Sequence, residues 1–216
     1  MAIKTLFADS LVASPGGDRN TRGPHDTNPT DDSAFEFGLT LGVRINTTAA
    51  GQFNAIRFWR DPAHNWTRRD PPAVYAGIAN NDDVGPTIAS LWKVTTVASH
   101  LGPQVVTLEA AQHFPDLADT DTGWVKCELE YPIPASSGES YIAAVLTRQY
   151  SASNSFFGTS LGNYGGAPWA IGSPPTYSPY NPNGVFLYMS GAASWTEVPT
   201  NGHIATNYFV DVEYEV

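Results

Sequence analysis

Apolar and polar positions alternate along this chain in short runs, and clusters of turn-forming residues separate the runs. Gln52 to Trp59 alternates cleanly, and Phe37 to Ile45 does so imperfectly. Thr87 to Val97, Gln104 to Leu108, Gly123 to Tyr131, Ser140 to Thr147 and Val185 to Met189 are rich in β-branched and aromatic residues. Runs of this length and composition between turns predict strands of an antiparallel sheet. The final run, Asn207 to Val216, sorts into two faces. Tyr208, Val210, Val212 and Tyr214 lie on one, and Phe209, Asp211, Glu213 and Glu215 on the other. That pattern predicts a half-buried strand with a wet acidic face. One window has helical spacing, Leu108 to Phe114, and Pro115 limits it to one or two turns. With 19 Gly and 17 Pro in 216 residues, long helices are excluded. The prediction is an all-β fold, an antiparallel β-sandwich of jelly-roll type, built as one domain over residues 1–216.

Two loop regions stand out, 13–34, which lacks any apolar period, and 148–184. Residues 1–34 read as an N-terminal strand (Ile3 to Val12) followed by an ordered crossing or arm rich in Gly, Pro, Asp and Asn. Residues 148–184 set Tyr150, Phe156, Phe157, Tyr164, Trp169, Tyr177 and Tyr180 among Ser, Gly, Asn and Pro. A loop of that length inside one domain is usually functional. Tyr and Trp in such surroundings make a contact surface of low conformational entropy, and their flat rings stack on sugar faces. Tyr164, Trp169, Tyr177 and Tyr180 are therefore the candidate residues for binding a glycan or a partner. The competing reading packs this loop on its own sandwich or on a neighbouring subunit. Trp59, Trp92, Trp124 and Tyr141 sit within strand runs and are expected in the core.

Charge narrows the partners. Only 15% of residues are charged, and 21 acidic against 11 basic residues leave a net charge of −10. Nucleic acid is a poor partner for such a chain, because phosphate affinity needs clustered cations. The nearest cluster, Arg57, Arg60, Arg68 and Arg69, is interleaved with Asp61 and Asp70, which predicts ion pairs. The single cysteine, Cys127, excludes an internal disulfide and is expected as a small buried strand residue. The N-terminal residues contain no apolar signal region, and no run approaches the ~20 apolar residues of a membrane span. The expectation is a protein that is kept inside its cell of synthesis, or leaves it by lysis or as part of a particle, and is not inserted in a membrane.

Catalytic and metal motifs are thin. Asp116, Asp119 and Asp121 precede Gly123 and offer the oxygen ligands calcium takes, but the glycine is misplaced for an EF-hand loop. A solvated turn is the stronger expectation, with Ca²⁺ the one cofactor considered. Asn80 to Asp83 and Thr30 to Ser33 are similar turn chemistry. His25, His64, His100, His113 and His203 show no ligand spacing. Glu128 and Glu130 share one strand face, whereas a glycosidase pair should flank a cleft. No nucleophile elbow or phosphate loop is present. No catalytic residue is assigned, and the chain is expected not to be an enzyme.

The ordered motifs carry a resemblance. Leu41-Gly42-Val43-Arg44-Ile45, then Gly51 and Ala55-Ile56-Arg57-Phe58-Trp59, are followed by Ser90-Leu91-Trp92 and Gly123-Trp124-Val125. Tyr131-Pro132-Ile133-Pro134, Gly138, Tyr141-Ile142-Ala143-Ala144, Asn183-Gly184-Val185-Phe186 and Asn207-Tyr208-Phe209-Val210-Asp211-Val212 complete the series. The set resembles an uncharacterised bacterial and phage β-sandwich family, a domain of unknown function. This chain has Thr40 where a Glu is common, and is enlarged at 61–86, 96–122 and 148–184. Members are appended to secreted polysaccharide-acting proteins or look like phage tail and surface components. The resemblance implies a non-enzymatic virion protein, a minor tail or tail-tip component with host-glycan recognition. Its implied partners are other virion proteins and further copies of itself in a homo-oligomer. A capsid decoration protein and a free carbohydrate-binding module are the alternatives, and a polysaccharide lyase or hydrolase comes third.

Overall fold

The computed structural model describes residues 2–7, 39–62, 88–96, 105–118, 120–147, 150, 184–188, 197–199, 201 and 207–216. Nine strands occur among them: β1 (Ile3–Thr5), β2 (Leu39–Asn46), β3 (Gly51–Arg60), β4 (Ile88–Thr96), β5 (Val105–His113), β6 (Gly123–Ala135), β7 (Ser140–Thr147), β8 (Gly184–Tyr188) and β9 (Val210–Glu215). No helix occurs among the described residues. Two antiparallel sheets form, a four-stranded one in the order β1-β9-β3-β6 and a five-stranded one in the order β5-β4-β7-β2-β8. They pack face to face as a β-sandwich, as the alternating pattern predicts.

The interior is filled from both sheets. Leu41, Val43, Ile45, Leu91, Ala143 and Val145 meet Ile56, Phe58, Val125, Cys127, Val210 and Val212 in one buried cluster. The Phe53 ring lies edge-on to Tyr141 of β7 and Tyr214 of β9, each with centroids 4.8 Å away. Such contacts add roughly 0.5–1.5 kcal/mol beyond area burial. The far side of the five-stranded sheet is also dry. Trp92, Val94, Ile142, Ala144 and Val185 are buried there, with Val198 packed against them. A strand covered on both faces reads as a continuous apolar run, which is why β7 shows so little alternation. Gly42 sits where β2 is flanked by β7 and β8. A Cβ there would come 2.7 Å from the Ala143 carbonyl oxygen and 3.1 Å from Val185, so no larger residue fits without a shift in the backbone.

Bulges correct two parts of the sequence reading. Residues 108–113, with their helical spacing, belong to β5. The β4–β5 register jumps from Leu91↔Ala110 to Trp92↔Leu108 and leaves Glu109 unopposed. An inserted residue converts a period of two into a local period of three, so a bulged strand mimics a helical turn. The clean alternation of β3 also fails, because register shifts at Asn54 against both neighbours. Phe53 shares the core face with Ile56 and Phe58, while Ala55 and Arg57 point away.

Opposite Asn54, β6 leaves β3, since Phe53 pairs with Ile133 and Ala55 with Glu128. The Gln112 side chain of β5 serves the freed backbone. Its amide nitrogen donates to the Glu128 carbonyl, and its oxygen accepts from the Glu130 N–H at 2.8 Å. One side chain thereby ties the two sheets together along this edge, and the excursion carries Tyr131 outward to 70% exposure.

The β6–β7 turn is pinned by Glu139. Its carboxylate accepts from Lys93, from the Ser136 N–H at 2.8 Å and from the Tyr141 hydroxyl at 2.7 Å. Lys93, the Ser136 amide and Tyr141, in that order, hold its pKa down at about 2. A depressed carboxyl pKa contributes stability above the ordinary value near 4.5, and that contribution is lost as pH falls toward 2. Glu139→Gln should therefore be less stable than the parent by about 1 kcal/mol at pH 7. The gap should close between pH 4.5 and 2, as read from urea midpoints.

Candidate functional site

The outer face of the four-stranded sheet carries a buried polar constellation centred on one carboxylate. Asp211 of β9 is fully buried. Its Oδ1 accepts from the Leu6 N–H at 2.7 Å and from its neighbour, the Val212 N–H, at 2.7 Å. Its Oδ2 accepts from Arg57 Nη2 at 2.7 Å and from the Phe7 N–H at 3.4 Å. Arg57 Nη2 also donates to the Phe7 carbonyl at 3.2 Å. Four donors on two oxygens occupy the lone-pair positions a carboxylate offers. Burial pushes the Asp211 pKa up to about 6, against the opposing pull of Arg57 and the backbone amides.

Aromatic rings close over this pair. The Arg57 guanidinium lies 4.7 Å from the Trp124 ring centre, a cation–π contact strengthened by desolvation. Phe7 stacks on Trp124 with centroids 6.0 Å apart and planes 13° from parallel. Trp59 meets Trp124 edge-on at 5.7 Å, and Phe209 completes the group. Phe209 holds φ at 53°, a left-handed conformation costly for a bulky residue. Two hydrogen bonds secure it: its N–H donates to Asn207 Oδ1 at 2.8 Å, and its carbonyl accepts from the Trp59 N–H at 3.1 Å. Along the solvent side, Lys126 bridges Glu128 at 3.1 Å and Glu213 at 3.5 Å.

These positions correct the expectation of a wet acidic face on β9. Glu213 and Glu215 are only half-buried, but Asp211 and Phe209 are sealed. Arg57 pairs with Asp211, 154 residues further along the sequence. Arg60 is buried too and donates to the Ala118 carbonyl at 2.8 Å. Of the calcium candidates, Asp116 is exposed, and Asp121 accepts from the Ala118 N–H at 2.8 Å. Asp119 lies outside the described residues. No group of three His, Cys, Asp or Glu gathers around one point among the described residues. Cys127 is fully buried, as expected, and burial raises its pKa away from the reactive thiolate. Trp59, Trp92 and Tyr141 are buried and Trp124 is half-buried. Tyr164, Trp169, Tyr177 and Tyr180, the candidates for recognition, lie outside the described residues.

Comparison with protein families, with characterised proteins and with solved structures gives no match to this chain.

Removing one member of a buried ion pair strands the other. Arg57→Ala should cost about 3–5 kcal/mol in urea unfolding, while the apolar pair Arg57→Met with Asp211→Leu should recover most of it. Asp211 has a raised folded pKa, so its contribution is greatest below pH 3.8 and is lost as pH rises through 6. The stability of the parent relative to Asp211→Asn should therefore fall across that window and level off above it.

Proposed function

We propose that this chain is a non-enzymatic structural and binding module of a phage particle, a minor tail or tail-tip protein that recognises a host-surface glycan. One observation carries the non-enzymatic part. The most deeply buried carboxyl in the described structure, Asp211, has all its acceptor capacity taken by the fold itself. A group so committed anchors backbone and has no lone pair left to take a proton from a substrate. The β-sandwich framework and the ordered sequence motifs support the particle reading. For glycan recognition, Tyr131 supports it among the described residues, because its ring stands 70% exposed on the excursion of β6. An amphipathic ring held on a strand is a ready stacking platform for a sugar.

Mass spectrometry of purified particles should find the protein at a fixed ratio to the tail proteins. Its absence from particles, with the protein present in the lysate, would sink the particle reading. On a glycan array the assembled parent protein should bind a restricted set of surface polysaccharides. Trp169→Ala and Tyr131→Ala should each weaken that binding about tenfold, the low end of the roughly 1–3 kcal/mol that one aromatic ring supplies when a base stacks on it. No binding by the parent would remove the glycan part of the proposal.

A further inference from the structure

Strand β1 forms one edge of the four-stranded sheet and hydrogen-bonds to β9. Its register is Ile3↔Glu215, Lys4↔Tyr214 and Thr5↔Glu213. Beyond Ala2, whose N–H and carbonyl both bond to Val216, the attachment is concentrated in Leu6 and Phe7. These are 4% and 2% exposed. Their N–H groups meet the Asp211 carboxylate, and the Phe7 ring lies on Trp124. The receiving surface is thus a socket with three recognition elements: a strand edge, a buried carboxylate that reads two successive amides, and an aromatic slot. It belongs to β9, β3 and β6. Residues 8–38 separate Phe7 from β2, which lies in the other sheet. The strand is therefore joined to the sandwich covalently by a long route and non-covalently by a short one.

Nothing the socket reads depends on which chain supplies the strand. A tether of 8–38 can reach up to roughly 100 Å when extended, ample for a neighbouring molecule. We infer that the β9 edge is an acceptor site for residues 2–7 of a second copy of this chain, and that copies join by exchanging N-terminal strands. Exchange creates no new contact within the socket, so its cost is low. The balance is set by concentration. A chain's own strand competes as an intramolecular ligand, and exchange takes over when copies are crowded enough to match its effective concentration. This holds for a free oligomer as well as for a particle component. It therefore stands apart from the proposed function and fails separately.

The test uses two full-length chains carrying different tags, one with Ile3→Cys and the other with Glu215→Cys, co-expressed and concentrated. These positions are register partners, and the native Cys127 is buried. A disulfide between them can form only between molecules. A single chain with both substitutions reports that the geometry allows the bond. The expected result is a mixed disulfide dimer whose yield rises with concentration. Phe7→Ala in the strand-donating chain should lower that yield about tenfold or more. The same substitution in the accepting chain should raise it, because the resident strand then competes poorly. The inference is overturned if no mixed dimer forms while the single chain closes its own disulfide, or if Phe7→Ala has the same effect in either chain.

Discussion

The Arg57–Asp211 pair is the constraint around which the four-stranded sheet is organised. Two ions buried without company would lose more in desolvation than they gain from each other. Here the deficit is offset by three backbone N–H donors, by the Phe7 carbonyl and by the face of Trp124. Each of those partners is in turn fixed by the pair. The amides of Leu6 and Phe7 have no strand neighbour of their own at that point, and the carboxylate supplies the acceptor. Electrostatics, backbone satisfaction and ring stacking are thus one interaction with several faces. Its geometry dictates where the N-terminal strand must lie.

A second constraint is the resetting of strand parity by bulges. Without the insertion at Asn54, Phe53 would face away from Tyr141, and the two-ring contact that joins the sheets would be lost. The same irregularity parts β6 from β3, and the Gln112 amide takes over the hydrogen bonds of the missing neighbour. The sandwich is therefore closed along that edge by a side chain acting as a short piece of backbone. An open row of strand amides is a template for unwanted pairing, and this arrangement covers part of one.

The strands were legible in the sequence because β-branched and aromatic runs between Gly and Pro clusters have a local cause. Ser140 to Thr147 falls on β7 from end to end, and the runs at 37–45, 52–59, 87–97, 123–131 and 185–189 fall within a few residues of β2, β3, β4, β6 and β8. Parity was not legible past a bulge, since one inserted residue changes which face every later side chain takes. That is why residues 108–113 resembled a helical turn. Asp211 departs from the pattern for another reason. Alternation grouped it with Glu213 and Glu215, and nothing local distinguishes a carboxylate that meets a guanidinium 154 residues away. Arg57 among other charged residues gave no hint of that partner either. Long-range pairing is a property of the fold.

The distance along the chain between Leu6 and Asp211 has a consequence for biosynthesis. At ordinary ribosomal rates, roughly 10–40 s pass between the addition of these two residues. Throughout that interval the Leu6 and Phe7 amides lack the carboxylate that receives them. Docking of the first strand is among the last events that this topology permits, and such non-local closure is slow. The early strand is thus left available during the period when nascent chains are most crowded. A chaperone, or a sister chain emerging from the same message, meets it before its own socket exists.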